Sequence, residues 1–438
     1  MKTTIPVQPL ILIACLAVGR LTLSILVYRN PAPAYFPDSA DYERLGVGLL
    51  EMTSYRWEAI DETELFRPPG YPAFIALVYG ALGKYAGNLA LVQLGLGGVI
   101  ALLLFDTIRR LHSAGAGLIA AALYLADPFS AVWALPVLSD TLFTALMAVG
   151  LYSLVRWRQG GRGHWLALAG ISGGIGSLVR PLGVLLLPLW AIFTLLGSIR
   201  IPLSVRRQIS RGSLKSSALF GTAFLGIVIP WSFRNELLWD TFGVSSVAQY
   251  NLEYYLAPAA IAERDRVSLE EARFRLDPPA ELSGLARSTW YLKVIWENPL
   301  PYLKSHLRGV VHTAAGIEYV RWFAFLGEPA ERLELLTELR SGGLLQGVAF
   351  LARASGEEPQ VVTAFVLSLA FQLLLYISGF IGFRRIYGRS RWMALLVVAT
   401  SLVFIVLPGP VGESRFRLPV QPMLAMFGAW AGDADEDL

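Results

Sequence analysis

The chain has 438 residues, 55% of them hydrophobic and only 16% charged, whereas soluble domains are roughly 45–50% apolar and about 25% charged. This composition excludes an ordinary soluble globular protein. The net charge of +4 does not indicate nucleic-acid binding, because the basic residues lie in short loops between apolar runs, the pattern of membrane orientation. The single cysteine, Cys15, excludes an intramolecular disulfide and any cysteine metal cluster. The four histidines, His112, His164, His306 and His312, show no ligand spacing, so neither a metal nor another cofactor is expected.

In chain order, the apolar run from Leu10 to Val27 approaches the roughly 20 residues that cross a hydrocarbon core. It lacks a small-residue cleavage site and reads as a retained span. Within the bilayer only helices satisfy their own backbone, so an all-α polytopic bundle follows. The segments 107–117, 156–164, 199–216 and 384–391 hold fourteen Lys and Arg and no Asp or Glu, which makes them cytoplasmic. Parity then sets 29–87 outside, with 71–83 a short helix at the outer interface, since its apolar run is bounded by Arg67 and Lys84 and is short for a span. Further spans follow at 88–105, 117–135, 141–155, 165–179, 182–198 and 217–233. Gly170, Gly173, Gly174 and Gly176 give the fifth of these ten spans small faces, around which the first six are expected to pair. The mixed, acid-containing segment 234–360 is placed outside, its stretch 299–353 crossing either not at all or twice. Spans at 361–383, 392–407 and 419–431 close the chain, with the tail DADEDL in the cytoplasm. Three parts result: 1–233, whose first outer loop (29–87) holds the chemistry, an extracytoplasmic insertion at 234–360, and 361–438.

With this orientation, polar residues unusual for a membrane protein gather at the outer face. They are Asp38, Ser39, Asp41 and Tyr42, then Arg67, Pro68, Pro69, Gly70 and Tyr71, and at other outer ends Asp140, Arg180, Arg234, Asn235, Glu413, Arg415 and Arg417. A carboxylate beside several arginines suits a reaction in which Asp takes a proton from an attacking hydroxyl while Arg neutralises a departing phosphate.

Six stretches, FPDSADYERL, RPPGYPAFIALVYGALG, LSDTLFTALMAVGLYSLVRW, SLVRPLGVLLLPL, PWSFRNELLWDTFG and GESRFRLPVQP, run in this order from about residue 36 to 422. In that order they resemble the GT-C superfamily of glycosyltransferases, and within it the dolichyl-phosphate-mannose-protein mannosyltransferase and aminoarabinose transferase group. The resemblance implies a GT-C-like bundle of about ten spans with interfacial helices in the first outer loop. It also implies sugar transfer, with inversion, from a polyprenyl-phosphate donor to a glycan, lipid or protein hydroxyl on the outer side of the cell membrane. In that group an acid four positions before a tyrosine is the catalytic carboxylate, which maps onto Asp38 before Tyr42. A basic-Pro-Pro motif contacts the lipid phosphate, which maps onto Arg67. The group often has a second acid directly after the first. Here that position is Ser39 and the second acid is Asp41, so Asp38 and Asp41 both stand as the base. Arg180, Arg234, Arg415 and Arg417 are expected on the donor phosphate, with Tyr42, Tyr71, Asp140, Asn235 and Glu413 in support.

Each residue also has a plainer reading. Asp38 or Ser39 would cap a helix over Asp41–Leu50, Asp140 would cap the next span, and single outer arginines would snorkel to headgroups. Arg20, inside the first span, would either snorkel or face the bundle. A transporter or flippase is the alternative function, but it calls for broken helices near the midplane and an internal repeat. A non-catalytic scaffold is the third.

Overall fold

The computed structural model describes residues 7–52, 55–57, 62–197, 211–316, 321–327 and 349–431. Most of the basic segment 199–216, residues 317–320 and 328–348 of the stretch 299–353, and the acidic tail lie outside the described residues. The architecture is a helix bundle. Its N-terminal part runs α1 (Val7–Thr22), α2 (Ser24–Arg29), α3 (Pro37–Leu50), α4 (Gly70–Leu82), α5 (Ala86–Leu111), α6 (Ala114–Ala126), α7 (Pro128–Val132), α8 (Asp140–Gly160) and α9 (Gly163–Val179). It continues with α10 (Leu186–Gly197) and α11 (Arg211–Trp239). Among the described residues the one sheet is a two-residue hairpin, Arg56–Trp57 paired antiparallel with Glu62–Thr63. Among the described residues four helical stretches, Leu10–Arg29, Ala86–Leu111, Leu214–Trp239 and Pro359–Arg389, are long and apolar enough to cross a membrane, and five apolar helices are shorter.

The ten expected spans all fall on helical segments, but not all are continuous helices: the first is interrupted at Leu23, the sixth opens with a 3-10 segment, Pro181–Leu185, and two others are broken more sharply. The stretch 117–135 stops at Ala126. Asp127 then accepts the N–H groups of Phe129 (3.1 Å) and Ser130 (3.0 Å) and Pro128 opens α7, an N-cap and first-position proline that restart the chain in a new direction. After α7 the chain runs irregularly to Ser139. Irregular backbone at this depth requires partners inside the protein. Gln93 Nε2 donates to the carbonyls of Ala134 (2.9 Å) and Pro136 (2.8 Å), and Ser39 Oγ to that of Val137 (2.9 Å). Arg20 faces the bundle and does not snorkel, donating to Tyr124 O (3.2 Å) and Ser130 Oγ (3.1 Å) across the same break. The stretch 419–431 is likewise divided, a 3-10 segment Ser414–Val420 preceding a helix at Gln421–Gly428.

The glycine-rich α9 provides close backbone approach, and its partners include a helix beyond the first six spans. A Cβ on Gly170 would lie 2.4 Å from Phe220 O, and one on Gly174 2.8 Å from Phe224 O. Gly170 and Gly174 therefore receive α11, the seventh span, while a Cβ on Gly176 would lie 3.5 Å from Phe143 of α8, the fourth. At one end of the bundle Asp106 binds Arg109, Arg110 and Arg156, and His112 stacks on Trp430 at 4.4 Å beside Arg389. Three of the four basic segments thus converge there. α5, about 39 Å long at 1.5 Å per residue, separates this end from the acidic and basic residues of α3.

The segment after α11 folds into a small helical lobe, α12 (Val247–Asn251), α13 (Ala257–Asp265), α14 (Leu269–Arg275), α15 (Gly284–Glu297) and α16 (Pro299–Ala315). It has its own core of Leu252, Ala257, Ile261, Ala272, Tyr291 and Val294. α16 carries Lys304 and Arg308, both paired with Glu263, and His312 Nδ1 lies 2.7 Å from Gly412 O. α17 (Arg321–Leu326), α18 (Pro359–Arg389), α19 (Arg391–Val406) and α20 (Gln421–Gly428) complete the described chain.

Candidate active site

The first turn of α3 aims its carboxylates. The helix starts at Pro37, four residues earlier than expected, with Phe36 at the N-cap. Ser39 Oγ accepts the Phe36 N–H (2.9 Å) and donates to Val137 O, so the capping work falls to Ser39. Asp38 forms no cap. It projects from the helix with Asp41, three residues on and on the same face.

Arg67 reaches both acids. Its Nη2 lies 2.8 Å from Asp38 Oδ1 and 3.4 Å from Asp41 Oδ2. The guanidinium sits 4.9 Å from the Tyr42 ring centre and 4.7 Å from that of Phe66, sandwiched by aromatic faces that favour a cation. The backbone around Arg67 is pinned: its N–H donates to Glu64 Oε1 (2.7 Å) and its carbonyl accepts from Tyr55 (2.7 Å). Immediately afterwards, Pro68-Pro69-Gly70 turns into α4. A Cβ on Gly70 would lie 2.6 Å from Leu178 O, so the missing side chain lets α4 start against the end of α9, two residues before Arg180.

The second Asp38 oxygen meets Arg415, Nη2 to Oδ2 at 3.5 Å, and Arg415 Nε also binds Glu413 (2.6 Å). Asp38 is 33% exposed, against 12% for Arg67 and 15% for Arg415. Partial burial alone raises the Asp38 pKa, but the guanidinium of Arg67 and then that of Arg415 outweigh it and hold the carboxyl below its ordinary range. Burial likewise works against the charge on Arg67, which Tyr42 and Asp38 overcome, leaving its pKa raised. Arg180 closes the far side. It pairs with buried Asp140, which begins α8 without capping it, and its guanidinium lies 5.0 Å from the Phe416 ring, on which Arg415 also packs at 5.5 Å. Burial and then the neighbouring Arg415 pull Arg180 down to about 10. Two guanidiniums packed on the same Phe416 ring suit an anionic ligand.

Asp38, Asp41, Tyr42, Arg67, Asp140, Arg180, Glu413 and Arg415 therefore form one cluster, while the other expected members lie behind it. Arg234 donates to Glu64 O (2.8 Å) and Asn235 Oδ1 (2.7 Å), bracing the Arg67 segment. Asn235 is fully buried and binds Gly243 O (2.7 Å). Tyr71, also fully buried, donates to Gln93 (2.9 Å) and supports the 133–139 segment. Arg417, expected on the phosphate, is instead 1% exposed, with Nη1 on the carbonyls of Thr313 (3.1 Å) and Ala314 (3.0 Å). Alternation along the 3-10 stretch sends Arg415 to the site and Arg417 into the core. Glu64, Tyr55 and Phe66 escaped the sequence reading, although an acid three residues before Arg67 was a local signal. So did Arg321, which lies 3.7 Å from the Phe36 ring centre and donates to Pro33 O (2.9 Å). Among the described residues no group of three His, Cys, Asp or Glu side chains is arranged to hold a metal ion.

Residues 66–230 match the family model of dolichyl-phosphate-mannose-protein mannosyltransferases. A comparison with the sequences of characterised proteins finds no match. Among solved structures, the chain is similar to the archaeal oligosaccharyltransferase AglB from Archaeoglobus fulgidus in complex with an inhibitory peptide and a dolichol-phosphate. That match has a TM-score of 0.53 and 14% identity, and covers 97% of this chain and 50% of that one. The Archaeoglobus fulgidus oligosaccharyltransferase complexed with zinc and sulfate gives 0.52 and 12%, covering 95% and 48%. ArnT from Cupriavidus metallidurans bound to undecaprenyl phosphate gives 0.45 and 16%, covering 96% and 77%. The chain spans about half the length of the oligosaccharyltransferases it matches. This chain has a membrane-protein fold like that of the GT-C glycosyltransferases, and the segment that matches the mannosyltransferase family model contains Arg67, Asp140 and Arg180, three of the cluster's members.

Proposed function

We propose that the protein is an integral membrane glycosyltransferase that moves a sugar from a polyprenyl-phosphate donor to an acceptor hydroxyl on the extracytoplasmic side of the cell membrane, with both termini cytoplasmic. The observation that carries this reading is the placement of Asp38 with one carboxylate oxygen toward Arg67 and the other toward Arg415, at the end of the bundle opposite the basic segments. The family match and the fold support the same reading.

The donor phosphate displaces the carboxylate from Arg67 and Arg415 and takes their hydrogen bonds, with Arg180 adding charge. Asp38, released but adjacent, accepts the proton of the acceptor hydroxyl as its oxygen attacks the anomeric carbon from the face opposite the phosphate. The carbon–oxygen bond to phosphate breaks, the electron pair leaves with the phosphate, and the configuration inverts. Asp41 shares Arg67 and is the second candidate for the base. Transfer of radiolabel from polyprenyl-phosphate sugars to acceptors in membranes containing the protein tests this. Label that crosses the bilayer still attached to its lipid, without transfer, would mark a flippase instead.

A further inference from the structure

Beside the carboxylate–arginine cluster lies an aromatic surface that the reaction above does not use. Phe66, whose ring stacks under the Arg67 guanidinium, meets Tyr250 edge-to-face at 5.1 Å. Tyr250 stacks on Tyr254 at 4.3 Å and approaches Tyr255 at 6.0 Å. The Arg273 guanidinium lies 5.7 Å from the Tyr254 ring and 5.2 Å from that of Tyr255, held by a bond from its Nε to Tyr254 O (2.7 Å). The backbone is built to present these rings. Residues Leu252–Leu256 form a π-helical turn, a rare widening that recurs at functional sites. It brings both the fourth and fifth residues after Tyr250 back to the same side. The platform is fastened to the site through Ser245 Oγ, which donates to Phe66 O (2.7 Å), and Ser246 N–H, which donates to Leu65 O (3.3 Å). Despite this packing, Tyr250 is 37% exposed and Tyr254 45%.

We infer that Phe66, Tyr250, Tyr254 and Tyr255, rimmed by Arg273, form a saccharide-binding platform that holds a pyranose ring next to the reacting centre. A pyranose has an apolar C–H face and a rim of hydroxyls. Flat rings with a polar handle match the face, while tyrosine hydroxyls and a guanidinium match the rim. A polyprenyl chain offers nothing to Arg273 and is better served by aliphatic surface. The direction of the platform, toward the reacting centre, rests on the transferase reading. Its capacity to bind sugar does not.

The full-length protein in lipid nanodiscs is applied to an array of immobilised glycans, without any polyprenyl donor, as wild type, Tyr254→Leu, Tyr254→Trp and Tyr250→Ala. The expected result is selective binding by wild type, retained by Tyr254→Trp, which keeps a flat face. Tyr254→Leu, which keeps apolar area only, and Tyr250→Ala should each lose it at least about tenfold. Equal melting temperatures establish that the variants are folded. No glycan binding by wild type, or binding that Tyr254→Leu preserves as well as Tyr254→Trp, overturns the platform and leaves these rings as membrane-interface tyrosines. In a transfer assay, a raised acceptor KM in Tyr254→Leu assigns the ring to the acceptor and a raised donor KM assigns it to the donor sugar. Unchanged values for both overturn the proposal. Glycan binding without transfer by wild type sinks the transferase reading while the platform stands.

Discussion

Replacing Asp38 by Asn separates a catalytic role from a structural one, because the two predict losses of different size. Asp38 pairs with Arg67 at 2.8 Å and Arg415 at 3.5 Å but is about a third exposed, so solvent screens the pairs and each contributes on the order of 0.2–1 kcal/mol. Its place in the first turn of α3 adds about 0.3–1 kcal/mol through the helix dipole. Since Ser39 forms the cap, no capping loss is added. A total of about 0.7–3 kcal/mol leaves a domain of ordinary stability, roughly 5–15 kcal/mol, largely folded. Loss of a positioned base, by contrast, costs about 100- to 10,000-fold in rate. The assay is transfer from radiolabelled polyprenyl-phosphate sugars in membranes normalised for folded protein, with Asp41→Asn as the control because it shares Arg67 and the helix face. A folded Asp38→Asn enzyme with near-normal turnover would refute the reasoning. If Asp41→Asn alone is inactive the base is Asp41, and if both are inactive the two act as a coupled pair.

Arg67→Ala should raise the donor KM about 10- to 100-fold and Arg67→Lys by less, since lysine keeps the charge but loses the planar fork; equal donor kinetics for wild type and Arg67→Ala would remove Arg67 from the phosphate site. Arg415→Ala takes away a cation that favours ionised Asp38, so protonation becomes easier and the acid limb of the kcat/KM profile should move to higher pH; a limb that stays in place or moves down contradicts the pairing. Arg417→Ala should lower the melting temperature, because it strips donors from the carbonyls of buried Thr313 and half-buried Ala314, while donor KM in the folded fraction stays near wild type; a selective rise in donor KM would return Arg417 to the site. With Cys15 replaced by serine, Glu270→Cys should react with an impermeant thiol reagent in intact cells and Gln159→Cys should not. The reverse pattern would invert the topology.

The sequence by itself determined the membrane class, the helical architecture and the order of its spans, because apolar runs and acid-free basic loops are local properties that follow from lipid solvation. It also singled out most of the acids and arginines that the structure gathers into one cluster, since arginines away from the basic loops run against the charge rule and their motifs occur in a recognisable order. What it left open was decided by tertiary contacts. Whether Asp38 caps its helix depended on Ser39 reaching both the Phe36 N–H and the Val137 carbonyl, 98 residues away. Where the 117–135 span breaks followed from Asp127-Pro128, a local signal hidden inside a long apolar run. That the break is tolerated depended on Gln93 and Arg20 meeting the freed backbone from other helices. Arg415 and Arg417 read alike in one dimension. Only the path of the 414–420 turn sends the first to Asp38 and the second to the carbonyls of α16, because side-chain direction follows from how the turn is seated among helices that are remote in sequence.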